Sequence, residues 1–372
     1  MQMFSQTFAI IIKVAVKLFW LLKCGNWFMK YCARPFKEFE IDVDGKCYCC
    51  CRWWNKSYCI GNIFEQTPEE IWNGKAAQEL RRSILEGDYK YCNTSECIKM
   101  YSDKLNYSLV TDYPEEISLC YDYTCTAKCV FCNDEIKKMP EDKCRQWDDL
   151  IDSKLIPLFK NARYVRLSMV GELFVSEHSK KLVKKIAEKY PNVRFEIVSN
   201  GIFCSKENIE KLGITDKIAT VKFSLPSLNE KTYKKMVRNG DLKKVKENIK
   251  YISELYYKKK VSEFLFNFIV SSVNYKEIVS YAKYVGSYGG KVDYILLNQK
   301  DSSTDFLRDF DKYNVANPKH PKYNDFINII NSNHFRICKN ICINENIQKM
   351  KKVSFVEYLK NCLEFYKKYK SL

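Results

Sequence analysis

Three cysteines, Cys125, Cys129 and Cys132, stand in the spacing C-x3-C-x2-C within the segment YDYTCTAKCVFC. Thiolates this close together can hold a metal, while buried cysteines also serve as small hydrophobic side chains, so the spacing alone leaves both roles open. A second field lies earlier in the chain: Cys32, Gly45 and Cys50 follow the pattern C-x12-G-x4-C, and Cys92-x4-Cys97 comes after it. With 18 cysteines and only 3 histidines in 372 residues, the chain is too long for a disulfide-stapled miniprotein and too poor in histidine for a histidine-rich zinc site. Cysteines that bind metal as thiolates call for a reducing compartment, which points to the cytoplasm. Two further polar groups stand where strands are expected to end: Gly171-Glu172, a carboxylate behind a residue that lets backbones approach closely, and Ser199-Asn200-Gly201, which also reads as a tight turn.

From Ile117 onward, short apolar strands alternate with amphipathic helices, the pattern of a parallel sheet with crossover helices. Strands are expected at Ile117–Tyr123, Tyr164–Val170, Arg194–Ser199, Thr220–Leu225, Phe264–Ser271 and Val292–Leu297. Helices are expected near Asp148–Phe159, Ser179–Tyr190, Lys206–Leu212, Leu242–Tyr257 and Tyr275–Val285. The fold class is α/β, a βα barrel of about six units, and the cysteine triplet falls at the carboxyl-terminal end of its first strand, where such barrels place their chemistry. Ahead of it, Phe39–Val43 alternates apolar and polar residues, Asp44-Gly45 signals a hairpin turn, and Lys46–Trp54 can return as the partner strand carrying three consecutive cysteines. Alternation on that strand would set Cys50 on the face opposite Cys49 and Cys51. Thr67-Pro68-Glu69-Glu70 reads as N-cap, N1 proline and capping-box glutamate, and Lys75–Glu86 places Leu80, Ile84 and Leu85 on one helical face before Gly87. The polar stretch from Asp301 to about Pro321 reads as loop, and Ser354–Tyr369 as a last helix.

The formal net charge is +17, yet lysine outnumbers arginine roughly five to one and the lysines are scattered, as codon usage in an AT-rich genome would give. No dedicated nucleic-acid surface is read from it. Residues 8–22 are apolar apart from Lys13 and Lys17, which share one helical face. This amphipathic helix is too short to span a bilayer; it can dock on the protein's own core or lie peripherally on a membrane.

The triplet with Phe131 before its last cysteine, and Gly171-Glu172 after the second strand, resemble the radical S-adenosylmethionine (SAM) enzymes, whose motif is CxxxCxΦC with Φ aromatic. The resemblance covers roughly Ile117 to Asp301. It implies a partial, TIM-like barrel whose Cys125, Cys129 and Cys132 hold three irons of a four-iron four-sulfur cluster, the fourth iron taking the amino and carboxylate end of SAM. It implies contacts to the cofactor from Phe131, Gly171, Glu172 (to the SAM ammonium), Asn200, Ser224 (to ribose) and Arg238 (to the SAM carboxylate). Val170 stands where the family more often has a second glycine, and the glycine-rich adenine motif sought on the fifth strand is absent. C-x12-G-x4-C resembles the opening of the auxiliary iron–sulfur domain called SPASM, or its shortened twitch form, here ahead of the barrel rather than after it. On that resemblance Cys32, Cys50, Cys92 and Cys97 ligate one auxiliary four-iron four-sulfur cluster, with zinc as the alternative occupant. Cys338 and Cys342 read first as helix neighbours packed together.

The expected organisation is an amphipathic helix over 1–30, an auxiliary iron–sulfur domain over 31–105, a radical SAM core over 106–305 and a carboxyl-terminal loop and helix over 306–372. The expected function is reductive cleavage of SAM to a 5′-deoxyadenosyl radical that removes hydrogen from a substrate. That substrate is foremost a peptide, alternatively a sugar or cell-surface glycan precursor. An electron donor such as flavodoxin or ferredoxin would be its partner. A noncatalytic iron–sulfur electron carrier or docking protein is the rival of another class.

Overall fold

Short strands, parallel to one another and joined by helices, build the larger part of this protein. The computed structural model describes residues 32–52, 58–93, 97, 107–132, 136–167, 170–297 and 308–342. The expected helices over residues 8–22 and Ser354–Tyr369 lie outside that set. The chain divides into two compact units, Met1–Glu40 with Lys46–Pro114, and Ile41–Gly45 with Glu115–Leu372.

In the larger unit, β4 (Glu116–Cys120), β5 (Tyr164–Leu167), β6 (Arg194–Ser199), β7 (Ile218–Ser224), β8 (Glu263–Val270) and β9 (Lys291–Leu296) lie in chain order, each parallel to the next. This is a partial βα barrel of six units. A short further strand, β10 (Ile341–Cys342), joins β9 in parallel, with Cys342 in register with Asp293. Cys342 is therefore a strand residue, while Cys338 follows the short helix Asn333–Arg336, so the two are not neighbours on one helix. Helices Glu177–Lys189, Lys206–Lys211, Glu230–Met236, Leu242–Tyr257 and Ile278–Ser287 follow the strands in turn. Each of the first four has a side-chain N-cap, from Ser176, Ser205, Asn229 and Asp241.

Alternation sorts the strand side chains. On β8, Phe264, Phe266, Phe268 and Val270 are buried, while Leu265, Asn267 and Ile269 between them are only partly so. A charged lattice runs across neighbouring strands. Glu196 accepts from Lys222 at 2.8 Å and pairs with Arg166 at 3.3 Å, and Arg166 reaches Glu116 at 2.6 Å. Burial favours a neutral Glu196, but the two cations hold its carboxyl below the ordinary value.

In the smaller unit, Thr67 caps Pro68–Trp72 with the expected capping box, its hydroxyl accepting from the Glu70 N–H while the Glu70 carboxylate accepts from the Thr67 N–H. Helix Lys75–Glu86 follows, with Leu80 and Ile84 fully buried. The returning strand is shorter than expected: β2 (Lys46–Tyr48) pairs antiparallel with β3 (Gly61–Asn62) and ends before the cysteine run. Cys49 to Cys51 thus leave strand geometry, and both Cys49 and Cys50 are buried. The preceding strand, β1 (Glu38–Asp42), is buried along its whole length.

Candidate cofactor site

The segment after β4 is pinned at both ends. Asp122 accepts from the Thr124 N–H at 3.0 Å and from the hydroxyls of Ser176 and Ser179, tying the strand end to the start of helix Glu177–Lys189. Tyr121 stacks on Trp147 and shares a 2.7 Å hydrogen bond with His178 Nε2, whose other ring nitrogen faces Asp148. Beyond Thr124, Cys125 exchanges two backbone hydrogen bonds with Lys137, at 2.8 and 3.0 Å, and the Cys132 N–H donates to the Cys129 carbonyl at 3.2 Å. Cys125 and Cys129 are half-buried and Cys132 is exposed. Burial pushes the Cys125 thiol up, and Cys132 is near enough to add to that rise. Phe131 packs with Val130 and Met236, together with Val273, Leu297 and Tyr313.

Gly171 and Glu172 back directly onto this segment. A Cβ on Gly171 would lie 2.3 Å from the Asp122 carbonyl oxygen and 2.9 Å from that of Thr124, so only glycine permits the approach. The Glu172 N–H donates to the Thr124 carbonyl at 2.9 Å. Its side chain is 1% exposed. Both carboxylate oxygens lie 3.0 Å from the Ser199 hydroxyl, and one accepts the Asn200 N–H at 2.9 Å. Burial raises its pKa to about 7 against the pull of those hydrogen bonds. Asn200 then turns its amide to the Cys125 sulfur at 4.0 Å, and Gly201 closes the turn at φ +84°. Residues from the ends of three successive strands, Cys125, Glu172 and Asn200, thus form one connected constellation.

Ser224 ends β7, one residue past Phe223, which is in register with Ser199. Arg238 is exposed in the turn after helix Glu230–Met236, where its N–H donates to the Lys128 carbonyl at 3.0 Å. The sequence reading missed Asn239, which follows it. Asn239 Oδ1 accepts from the Lys128 N–H at 2.7 Å and its Nδ2 donates to the Thr126 carbonyl at 2.6 Å. Asn239-Gly240 carries only a turn signal, and nothing local marks an amide used more than a hundred residues away.

In the smaller unit the four cysteines singled out by spacing also come together electrostatically. Burial drives the Cys50 thiol well up, and Cys32 and Cys92 are close enough to drive it further. Cys32 is raised by burial in the same way and senses Cys97. Cys49 acts on Cys50 as well, and it has a further neighbour. Its fully buried thiol is pushed up to about 12 by desolvation and partly restrained by the positive charge of the nearby Arg81 guanidinium. Among the described residues no three His, Cys, Asp or Glu side chains crowd closely enough to share one ion. An iron–sulfur cluster does not require that, because each thiolate binds a different iron. Three soft sulfur donors on one pinned loop and four cysteines within electrostatic reach in the other unit both suit such clusters.

The family profile for an iron–sulfur cluster-binding domain, SPASM, matches residues 32–98, and that of the radical SAM superfamily matches residues 123–285. Residues 123–285 thus form a radical SAM domain. The chain carries an iron–sulfur domain of the SPASM kind at the amino-terminal side of that domain. Its cofactors are a four-iron four-sulfur cluster used with SAM and additional iron–sulfur in the SPASM domain. No curated protein sequence matches the chain. Similar solved structures include native anSMEcpe with bound AdoMet and Cp18Cys peptide, at 16% identity over 49% of this chain and 50% of that one, with a TM-score of 0.35. Methylornithine synthase (PylB) is similar at 10% identity over 61% of this chain and 63% of that one, with a TM-score of 0.38. The chain therefore spans about half the length of the first of these. No helix among the described residues is long and apolar enough to cross a membrane.

Proposed function

We propose that the protein reductively cleaves SAM at a four-iron four-sulfur cluster held by Cys125, Cys129 and Cys132, and that the resulting 5′-deoxyadenosyl radical takes a hydrogen atom from a peptide. The observation that supports this reading is the linkage of Cys125, Glu172 and Asn200 at the carboxyl-terminal ends of β4, β5 and β6. A cluster that only carried electrons would gain nothing from such polar neighbours. Once bound, the cluster and SAM supply the radical; the chain supplies position and shielding.

In this reading Asn200 faces the loop at Cys125, while Gly171 and Glu172 fix the close approach of the β5 end to it. Ser224 contacts ribose and Arg238 the SAM carboxylate. Cys32, Cys50, Cys92 and Cys97 hold one auxiliary cluster, and a small electron carrier of the flavodoxin or ferredoxin class delivers the electrons. The peptide assignment rests on the SPASM match, since domains of this kind accompany peptide-modifying members of the superfamily.

Anaerobic protein reconstituted with iron and sulfide, then reduced with dithionite, should release 5′-deoxyadenosine from SAM. Absence of that product from protein with its iron intact would overturn the reading. Deuterated peptides and sugars offered in turn should transfer label to 5′-deoxyadenosine from a peptide; label arriving only from a sugar would replace the substrate class.

A further inference from the structure

The loop that carries the first two cysteines has little structure of its own. Between Cys125 and Cys129 lie Thr126, Ala127 and Lys128, outside any helix or strand. What holds their backbone is the turn after helix Glu230–Met236. The Met236 carbonyl accepts from the Val130 N–H at 3.0 Å, Cys129 forms a backbone bridge with Val237, and the Arg238 N–H donates to the Lys128 carbonyl at 3.0 Å. Asn239 completes the set with its two side-chain bonds, to the Lys128 N–H at 2.7 Å and the Thr126 carbonyl at 2.6 Å. The backbone donor and acceptor it meets fix which end of the amide points where. One side chain from beyond β7 therefore sets the span between two cysteines that follow β4.

We propose that Asn239 is a positioning residue: its amide clamps the Thr126–Lys128 backbone and so fixes the spacing of the Cys125 and Cys129 thiolates before and after the cluster binds. This rests on the assignment of the cluster to Cys125, Cys129 and Cys132. Thiolates repel one another, and a flexible link would let them spread whenever an iron leaves. A short, doubly bonded link opposes that spreading at the loop itself. Asn239 is exposed, so its bonds contribute little to global unfolding and act on the local opening of the loop.

The test uses the full chain, reconstituted anaerobically, as Asn239→Ala and Asn239→Asp alongside a Cys125→Ala/Cys129→Ala/Cys132→Ala variant that identifies the iron bound by the loop. Release of that iron to a ferrous chelator should be about tenfold faster in Asn239→Ala, in keeping with the loss of two hydrogen bonds. The change that SAM causes in the electron paramagnetic resonance spectrum of the reduced cluster should weaken, while the thermal midpoint moves by no more than about 2 °C. Asn239→Asp keeps the acceptor for Lys128 and loses the donor to Thr126, so its release rate should fall between the two. Wild-type release and an unchanged spectrum in Asn239→Ala would overturn the proposal. So would a general loss of stability in both variants with iron lost equally from the amino-terminal domain. If the triple cysteine variant keeps all its iron, the cluster assignment itself fails; if it loses iron and Asn239→Ala behaves as wild type, only the clamp fails.

Discussion

The Asn200 N–H donates to the Glu172 carboxylate at 2.9 Å, so the end of β6 is fixed to the end of β5 through a buried acid. The Ser199 hydroxyl, 3.0 Å from each oxygen of the same carboxylate, adds a second tie. A carboxylate so enclosed serves the arrangement of the turn that faces Cys125.

Its burial gives a pH dependence of definite sign. The Glu172 pKa is raised to about 7 in the fold, above the ordinary 4.5, because desolvation penalises the charged form. Stability tied to this group is therefore fully present below about pH 4.5 and is lost as pH rises through about 7. The loss amounts to about 3 kcal/mol in order of magnitude. Urea unfolding of the iron-free protein at pH 5, 6, 7 and 8 should show falling stability, and Glu172→Gln should flatten that fall. Parallel profiles for the two proteins would refute the assignment.

Gly171→Ala should be far worse than an alanine at an ordinary loop glycine. The new methyl group would meet the carbonyl oxygens of Asp122 and Thr124, which are backbone atoms that cannot swing aside. Either the β5 end or the cysteine loop must shift, at a cost of about 1–3 kcal/mol. Chemical denaturation should register that cost, and iron analysis should show depletion at the Cys125 loop. An alanine variant with native stability and full iron would mean that the approach is looser than described.

Arg81 is a buried cation of the smaller unit. Its Nε donates to the Pro35 carbonyl at 2.8 Å, its Nη1 to the Leu109 carbonyl at 2.8 Å and to Asn73 at 3.2 Å, and its guanidinium lies over Trp72 at 4.2 Å. A lysine cannot reproduce that fork, so Arg81→Lys should cost about 3 kcal/mol in spite of keeping the charge. The expected signature is loss of iron from the amino-terminal domain while the Cys125 loop stays loaded. Full iron in both places would show that the fork is dispensable.

Local signals were legible in the sequence and long-range ones were not. Helix Leu242–Tyr257 was bounded correctly because its apolar stripe runs the whole length, and the Thr67–Glu70 capping box because all its groups lie within four residues. Helix Glu141–Asp149 was missed because it buries only Trp147 and so shows no apolar stripe. The bonds of Tyr121 to His178 and of Asn239 to the cysteine loop join elements distant in sequence, where no periodicity or spacing records them. The cysteine pattern was readable because its spacing is itself the signal; which of Cys49 and Cys50 faces the other cysteines was not, because β2 stops at Tyr48 and strand alternation no longer applies.

That last ambiguity yields a direct comparison. Cys50 lies within electrostatic reach of Cys32 and Cys92, whereas Cys49, itself close to Cys50, lies beside the Arg81 guanidinium. Cys50→Ala should therefore abolish iron binding in the amino-terminal domain and leave iron at the Cys125 loop. Cys49→Ala should keep iron in both places and lose stability by about 1 kcal/mol, for one small buried side chain. Iron analysis with Mössbauer spectra of the two variants separates these outcomes. Should Cys49→Ala lose the amino-terminal iron and Cys50→Ala retain it, the ligand is Cys49, and the Arg81 guanidinium would then stand beside a cluster thiolate.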